Sequence, residues 1–273
     1  MNIVLVHGIL GFDRIGPVNY FNGIADHLRR RFGANVYPAL LDATAGTGVR
    51  SGMLRQCVQN ALLRGDLNPA EPLHLIAHSM GGLDARRMIS SNHLIQAGGS
   101  QVAVQTLATI GTPHRGSPVA DAVALKLVPK LPVLGVVIEA ATAALGNVLE
   151  HFRISLQGLE DLTTGAARNF NLQFPDNPHV KYLSYAGGGR AGLLPTSGFF
   201  LPYHEFIRIC DGEVSDGVVG VSSAKWTGFD SNLWPADHAD EIGHDLDQPL
   251  QPLDGATRDR YDAIVAQFGV GAI

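Results

Sequence analysis

The stretch that decides the fold is LHLIAHSMGG, residues 73–82. Its first five residues form a short apolar run typical of a buried strand, and the residues from Gly81 onward have helical spacing. Between the two stands a serine, Ser79, with the small residues Ala77 and Gly81 two positions away on either side. A serine on a strained turn from strand to helix needs such small neighbours. The pattern therefore predicts a nucleophile elbow at Ser79, with alanine where such turns usually carry glycine at position 77.

Strand-like and helix-like segments alternate along much of the chain. The predicted strands cover residues 3–6, 35–41, 73–77, 102–110 and 180–186, and the predicted helices cover residues 20–32, 50–64, 81–91, 162–174 and 257–268. Apolar strands alternating with helices favour a mostly parallel sheet with helices on both faces. The length of 273 residues suits one core, so we expect a single α/β domain over residues 1–273.

A helical insertion interrupts this alternation between about residues 117 and 160. It contains two pieces rich in alanine, valine and leucine, Val119–Val128 and Leu134–Leu149, which Pro129 and Pro132 separate. Two interpretations remain open from the residues alone. The pieces are ordinary core helices, or they form an apolar cover over a binding site.

The charge balance excludes several classes of partner. Twenty basic side chains stand against 25 acidic ones, a formal charge of −5, which is not the basic surface of a nucleic-acid binder. The longest apolar stretch, Leu131–Leu149, includes proline, glycine and glutamate, so a transmembrane helix is not expected. We therefore expect neither nucleic acid nor a membrane-spanning segment.

The two cysteines and the N-terminus bear on the compartment. Cys57 and Cys210 lack the spacing of a metal or redox motif, and we expect both to be buried thiols. The opening residues MNIVLVHG have no basic region or cleavage site and are not a signal peptide. The chain is then cytoplasmic, exported by a route that needs no signal, or a form whose leader has been removed.

A glycine turn follows the first predicted strand, at His7-Gly8-Ile9-Leu10-Gly11. Acyl transfer requires two preorganised N–H donors that face the developing oxyanion. One is supplied by the residue after the nucleophile, here Met80, and the other by a glycine-rich turn at a neighbouring strand end. Ile9 suits the second position. The backbone N–H groups of Ile9 and Met80 are therefore the candidate oxyanion hole.

Chain order restricts the choice of acid and base. In hydrolases with this turn, the serine precedes the acid and the acid precedes the histidine. Asp211, Glu213 and Asp216 are acid candidates in one turn-rich segment at a predicted strand end, and Asp216 suits the position best. His238 and His244 both lie beyond them, and spacing alone does not separate these two histidines.

The chain resembles the bacterial triacylglycerol lipases of the Pseudomonas–Burkholderia–Proteus group, and the small Proteus-like members above all. The matching motifs, in family order, are VLVHGILGF (4–12), YFNGIAD (20–26), AHSMGG (77–82), IGTPHRGS (110–117), LEDLTT (159–164), SDGVV (215–219) and DHAD (237–240). The resemblance implies an α/β-hydrolase fold and hydrolysis of carboxylic esters of lipids. It also implies Ser79 as nucleophile, Asp216 as acid, His238 as base, and the N–H groups of Ile9 and Met80 as oxyanion hole.

The resemblance also raises the question of a structural calcium ion. Members bind Ca²⁺ with an aspartate two residues after the catalytic histidine, a glutamine six residues after it, and an aspartate upstream of the acid. Here Asp240 occupies the first position and is a candidate ligand, but His244 occupies the second. Imidazole is a poor ligand for this hard cation. Residues 193–196 supply no clear upstream aspartate, so the sequence leaves calcium binding open.

The implied chemistry requires no cofactor, and the implied partner is a lipid or other ester substrate. The resemblance also implies that the protein acts at a lipid–water interface and that the insertion at 117–160 is a lid over the site. Two other functions are consistent with the same residues. One is a soluble esterase, thioesterase or polyester hydrolase with the same triad. The other is a non-catalytic binding protein that has retained the hydrolase fold.

Overall fold

The computed structural model describes residues 1–9, 14–15, 18–124 and 157–269. The strands are β1 (Asn2–Val6), β2 (Arg14–Ile15), β3 (Val18–Asn19), β4 (Asn35–Ala39), β5 (Leu73–His78), β6 (Leu94–Ala97), β7 (Ser100–Ile110) and β8 (Lys181–Tyr185). The helices are α1 (Ile24–Phe32), α2 (Thr47–Arg64), α3 (Met80–Ser91), α4 (Pro118–Ala124), α5 (Gln157–Glu160), α6 (Thr164–Gln173), α7 (Leu201–Asp211), α8 (Val221–Ala224) and α9 (Gly255–Ala266). A 3₁₀ turn spans Asp240–Ile242.

Six of these strands form one sheet, in which β1 lies between β4 and β5, and β5 lies between β1 and β7. The second half of β7 pairs in parallel with β8, and its first half pairs antiparallel with β6. All the other pairings in this sheet are parallel. The carboxyl ends of β1, β5, β7 and β8 therefore meet at one edge. This arrangement confirms the predicted mostly parallel sheet.

The core is divided between the two faces of the sheet. Along β1, Val4 and Val6 belong to an apolar cluster with α2 and α3, whereas Ile3 and Leu5 belong to a second cluster with α1 and α9. Successive side chains of a strand point to opposite faces, so a strand apolar throughout needs a helical layer on each side. The prediction of helices on both faces is confirmed.

Several predicted boundaries differ from the structure. The helix predicted from residue 20 begins only at Ile24, since Gly23 adopts a left-handed conformation with φ 66°. Asp216 lies within a turn closed by a bridge between Ser215 and Gly220 rather than at the end of a strand. Helix α7 was not predicted, although it buries Tyr203, Phe206 and Ile207. Its Pro202 lies in the first turn, where proline removes no helical hydrogen bond.

The prediction of two buried thiols is wrong. Cys57 on α2 is only half-buried at the rim of its core cluster, and its Sγ contacts the Leu40 carbonyl at 3.4 Å. Cys210 lies in the last turn of α7 on the side that faces solvent. Helical periodicity placed Cys57 on a helix but did not resolve which side of that helix faces the core, and the helix that carries Cys210 was not predicted.

The helical insertion is described at its two ends. The helix predicted over Val119–Val128 is present as α4 as far as Ala124, and residues 125–128 lie outside the described residues. The helix predicted over Leu134–Leu149 lies outside the described residues. Within the part of the chain that the structure describes, no helix combines the length and apolarity required to cross a membrane.

Candidate active site

Ser79 occupies the sharp turn between β5 and α3 at the carboxyl edge of the sheet. Its backbone has φ 55° and ψ −134°, a region that residues other than glycine rarely adopt. The Ser79 N–H donates to the Ile110 carbonyl at 2.9 Å, and the Ser79 carbonyl accepts from the Thr112 hydroxyl at 2.8 Å. These bonds hold the serine in a conformation that costs about 1–3 kcal/mol of strain.

Small residues beside the serine permit the close approach of its neighbours. A Cβ atom at Gly81 would lie 2.5 Å from the Val6 carbonyl oxygen, so only glycine allows the first turn of α3 to contact the end of β1. A Cβ atom at Gly8 would lie 2.7 Å from the Ser79 Cβ. The turn after β1 therefore contacts the serine directly. Ala77 is fully buried in the sheet, as the small-residue pattern predicts.

The structure places the imidazole of His238 beside the carboxylate of Asp216. The His238 Nδ1 lies 2.7 Å from the Asp216 Oδ2, and the His238 backbone N–H donates to the Asp216 carbonyl at 2.9 Å. The other carboxylate oxygen of Asp216 accepts from the N–H groups of Val218 and Val219, both at 2.7 Å. With its Nδ1–H donated to Asp216, the imidazole keeps the Nε2 lone pair as its basic site.

The competing acid and base candidates lie elsewhere. Asp211 is exposed at the end of α7, and the carboxylate of Glu213 accepts from the N–H and hydroxyl of Ser222. The His244 Nε2 donates to the backbone carbonyls of residues 19 and 20, at 2.8 and 3.1 Å. That nitrogen therefore carries the proton, and its hydrogen bonds hold the segment before α1. His244 makes a structural contact and does not bind Asp216.

A second buried network, which the sequence did not predict, lies behind the candidate triad. The His78 Nε2 lies 3.0 Å from Glu241 Oε2, and its Nδ1 lies 2.8 Å from the Tyr20 hydroxyl. The Gly8 N–H donates to that same hydroxyl at 3.0 Å, and the Gly187 N–H donates to Glu241 Oε1 at 2.8 Å. The network thus connects the loops that follow β1, β5 and β8. The available signals were the position of His78 next to the serine and of Glu241 three residues after the candidate base.

Within the described residues, His78, His238 and Glu241 also form a group whose ligand atoms lie within 4.8 Å of one another. Their hydrogen bonds account for this proximity. The His78 and Glu241 atoms bond to each other, and the His238 Nδ1 bonds to Asp216. A metal ion here would have to break the pair between His238 and Asp216, so we assign these residues to the hydrogen-bonded network.

Two titratable side chains of this network, Glu241 and His78, place little charge beside Asp216. Burial, together with the Asp216 carboxylate, raises the pKa of Glu241 well above its usual range. Burial, with a smaller contribution from His238, lowers the pKa of His78 well below its usual value. Both side chains therefore favour their neutral forms. The Glu241 Oε2 is 3.5 Å from the His238 Nδ1, so Asp216 is the closer carboxylate.

We expect Glu241→Gln to gain stability relative to the unchanged protein as pH rises. Folded Glu241 retains a proton that the unfolded chain releases near its ordinary pKa of about 4.3. Above that pH the unfolded state binds fewer protons, so the free energy of unfolding falls as pH increases. Glutamine is neutral at every pH and does not carry this cost. Melting temperatures measured from about pH 5 to about pH 9 test the expectation.

Glu160→Gln, at an exposed carboxylate on α5, is the matched control and should show no such slope. A melting-temperature difference for Glu241→Gln that stays constant across the pH range would contradict a neutral Glu241.

The two candidate oxyanion donors belong to the two segments that meet at the serine, the first turn of α3 and the turn after β1. Met80 is the first residue of α3, and the first N–H groups of a helix have no partner within the helix. The positive end of the helix dipole also favours a developing negative charge there. Ile9 follows Gly8, whose contact with Ser79 brings the turn after β1 close to the serine.

Ser79 and His238 open onto one cleft with a volume of about 530 Å³. Its wall is largely apolar, and Val119 and Ala120 of the insertion contribute to it. The other apolar residues of the wall are Ile9, Pro113, Leu159, Leu162, Phe199, Phe200, Val218, Val219, Ala239, Ile242 and Leu246. The cleft therefore presents the Ser79 hydroxyl and the His238 imidazole at a largely apolar surface.

Comparisons with known proteins agree with this arrangement. A family model described as "PGAP1-like alpha/beta domain" matches residues 41–133. The chain is 30% identical to a triacylglycerol lipase of Pseudomonas fragi, with 89% of this chain and 87% of the relative covered. It is 29% identical to a triacylglycerol lipase of Vibrio cholerae, with 88% and 78% covered.

Among solved structures, the Staphylococcus hyicus lipase superposes with a TM-score of 0.71 at 20% identity, covering 97% of this chain and 94% of that one. This likeness shows that the two chains share the α/β-hydrolase fold. The similarity to the Pseudomonas fragi enzyme extends over nearly the whole of both chains. The chain therefore belongs to the family of bacterial triacylglycerol lipases.

Proposed function

We propose that this protein is a serine hydrolase that cleaves the carboxylic ester bonds of lipids, with Ser79 as nucleophile, His238 as general base and Asp216 as the acid that orients His238. The observation that carries the proposal is the opening of a strained Ser79 and an Asp216-bound His238 onto a single apolar cleft. Membership in the lipase family supports the same reaction.

The reaction has two acyl-transfer steps. The His238 Nε2 takes the hydroxyl proton of Ser79 while Oγ attacks the ester carbonyl carbon, and the carbonyl oxygen becomes an oxyanion that the N–H groups of Ile9 and Met80 bind. Collapse of the tetrahedral intermediate breaks the ester C–O bond, and His238 returns the proton to the departing alcohol. Water then attacks the acyl-serine by the same route and releases the carboxylic acid. Asp216 stabilises the imidazolium in both steps.

The composition of the cleft favours a substrate with a hydrocarbon chain. Each buried methylene contributes about 0.8 kcal/mol, so an apolar cleft of this size discriminates long acyl chains from short ones. The polar side chains in its lining include Ser79 and His238, with which the ester would react. A soluble esterase, thioesterase or polyester hydrolase with the same triad is the second candidate, because the same cleft can also admit short chains.

Labelling and a chain-length series test the proposal. A fluorophosphonate probe should label the protein at Ser79, whereas absence of labelling would favour a non-catalytic hydrolase fold. With nitrophenyl esters from acetate to palmitate, kcat/KM should increase with chain length, and emulsified triglyceride should be hydrolysed. A preference for short soluble esters, with no activity on the emulsion, would identify the esterase instead.

Val119→Trp tests whether the described cleft holds the acyl chain. Val119 is half-buried and lines the cleft, so an indole at this position should shorten the space available for the chain. We expect kcat/KM for a dodecanoate ester to fall by about 10-fold or more, in line with the loss of two to three methylenes of contact, and that for acetate to change little. Leu172→Trp, at an exposed position on α6, is the matched control. Equal losses on both esters would place the acyl chain elsewhere.

A further inference from the structure

The side chain at the family's calcium position makes a different contact in this protein. The Asp240 carboxylate is engaged at both oxygens by Arg190, whose Nε and Nη2 each lie at 2.7 Å. This is the bidentate geometry that a guanidinium and a carboxylate prefer. A calcium ion could bind Asp240 only after displacing Arg190.

Three more carboxylates surround the same guanidinium. Asp237 and Asp245 lie 3.4 and 3.0 Å from it, and Asp247 lies 2.7 Å from its Nη1. The Arg190 side chain is only 20% exposed, and Asp237 is fully buried. The hydrogen bonds to Asp240, with the nearby charges of Asp237 and Asp245, raise the pKa of Arg190 above its usual value, so the guanidinium is charged. The carboxylates are thus arranged around a cation that belongs to the protein itself.

The other positions that would complete a calcium site carry neither a carboxylate nor an amide side chain. His244, at the family's glutamine position, uses its Nε2–H to bind two backbone carbonyls and so cannot coordinate a cation with that atom. Residues 193–196 provide no carboxylate. Calcium prefers six to eight oxygen ligands, and the residues present at this place do not fit it.

The cluster holds the segment that carries His238. Asp237 and Asp240 flank that histidine, and Asp237 Oδ1 accepts from the N–H groups of Ala239 and Asp240, both at 3.0 Å. The second oxygen of Asp237 accepts from the Ser197 N–H at 2.8 Å. Arg190 therefore links the loop after β8 to both sides of the candidate base and to residues 245–247.

We propose that Arg190 is a positioning residue that replaces the structural calcium ion of the family, so that the placement of His238 depends on a guanidinium and four carboxylates and is independent of calcium. Because the Arg190 guanidinium is part of the chain, it cannot dissociate as a bound calcium ion can, and a chelator cannot remove it. Two experiments test this proposal. The kinetic experiment rests on the proposed role of His238 in catalysis, whereas the stability experiment does not.

The stability experiment uses the unmodified protein. Its melting temperature and its kcat on a nitrophenyl ester should be the same in excess EDTA as in millimolar CaCl₂. A melting temperature that falls in EDTA and recovers specifically with CaCl₂ would overturn the proposal, whether or not the protein hydrolyses esters. Absence of any hydrolysis together with an unchanged melting temperature would count against the proposed function alone.

The kinetic experiment uses Arg190→Gln and Arg190→Lys, with Arg31→Gln as the matched control. Arg31 forms an exposed ion pair with Asp262 on the α1–α9 side of the molecule. Misplacement of a catalytic group by about 1 Å costs about 100-fold in rate. We therefore expect Arg190→Gln to lower kcat by about 10- to 100-fold with KM changed by less than about threefold.

Arg190→Lys should recover part of the lost kcat, because lysine restores the charge but not the bidentate fork. Fluorophosphonate labelling of Ser79 should slow in parallel with kcat. A folded Arg190→Gln protein with the kcat of the Arg31→Gln control would overturn the positioning role, as would a loss that appears only in KM. If Arg190→Gln does not fold, the chelator experiment still tests independence from calcium, and Arg190→Lys still tests the positioning role.

Discussion

Replacing Ser79 with alanine is expected to lower kcat for ester hydrolysis by at least about 10⁴-fold, because the members of a catalytic triad act as a unit. Fluorophosphonate labelling should disappear with it. The fold should be retained, since alanine keeps the Cβ of serine and makes the same backbone contacts with Ile110 and Thr112. The circular dichroism spectrum and the melting temperature test whether the fold is retained, and the rate of nitrophenol release from a nitrophenyl ester gives kcat.

Ser79→Gly separates the chemistry from the strain. It should be as inactive as the alanine variant yet melt at a higher temperature, because glycine adopts φ 55°, ψ −134° without strain. Release of about 1–3 kcal/mol of strain is offset by about 0.5–1 kcal/mol of additional chain entropy. An alanine variant that keeps normal turnover would show that the nucleophile lies elsewhere.

The second large effect is expected from His238→Ala. Without the imidazole, Ser79 has no base and the departing alcohol has no proton donor, so kcat should again fall by about 10⁴-fold or more. The loss should affect short and long esters alike, because His238 acts on the reacting bond rather than on the acyl chain.

His244→Ala is the informative comparison for His238→Ala. Its imidazole donates to the carbonyls of residues 19 and 20, so removal should cost about 1 kcal/mol of stability, visible as a lower melting temperature. Most of kcat should be retained. Equal losses of kcat for the two histidine variants, with unchanged melting temperatures, would contradict the assignment of His238 as the base.

The elbow could be predicted from local sequence because its requirements are local. A short, mostly apolar strand, a serine, and a glycine two residues later specify a tight turn whatever surrounds it. The strained φ of Ser79 and the 2.5 Å approach that Gly81 permits are the physical counterparts of that pattern. The mostly parallel sheet followed in the same way from the alternation of short apolar strands with helices.

Hydrophobic periodicity did not predict helix α7 or the exposure of the two cysteines. Helix α7 was missed because Pro202 in its first turn and its mixed composition hid the spacing of Tyr203, Phe206 and Ile207. The burial of Cys57 and Cys210 was overestimated because residue type predicts the average environment of a thiol, not the side of the helix on which it lies.

The sequence by itself determined the fold class, the strand-to-helix turn at Ser79 and a short set of acid and base candidates, which the family resemblance narrowed to Asp216 and His238. Only the tertiary structure brought Asp216 within 2.7 Å of His238 and left Glu213 bound to Ser222. It alone joined Arg190 to Asp240, 50 residues away, at a position where the sequence had left calcium binding open. A turn depends on the steric demands of adjacent residues, whereas a pair of charges distant in the chain meets only when the packed core sets their positions.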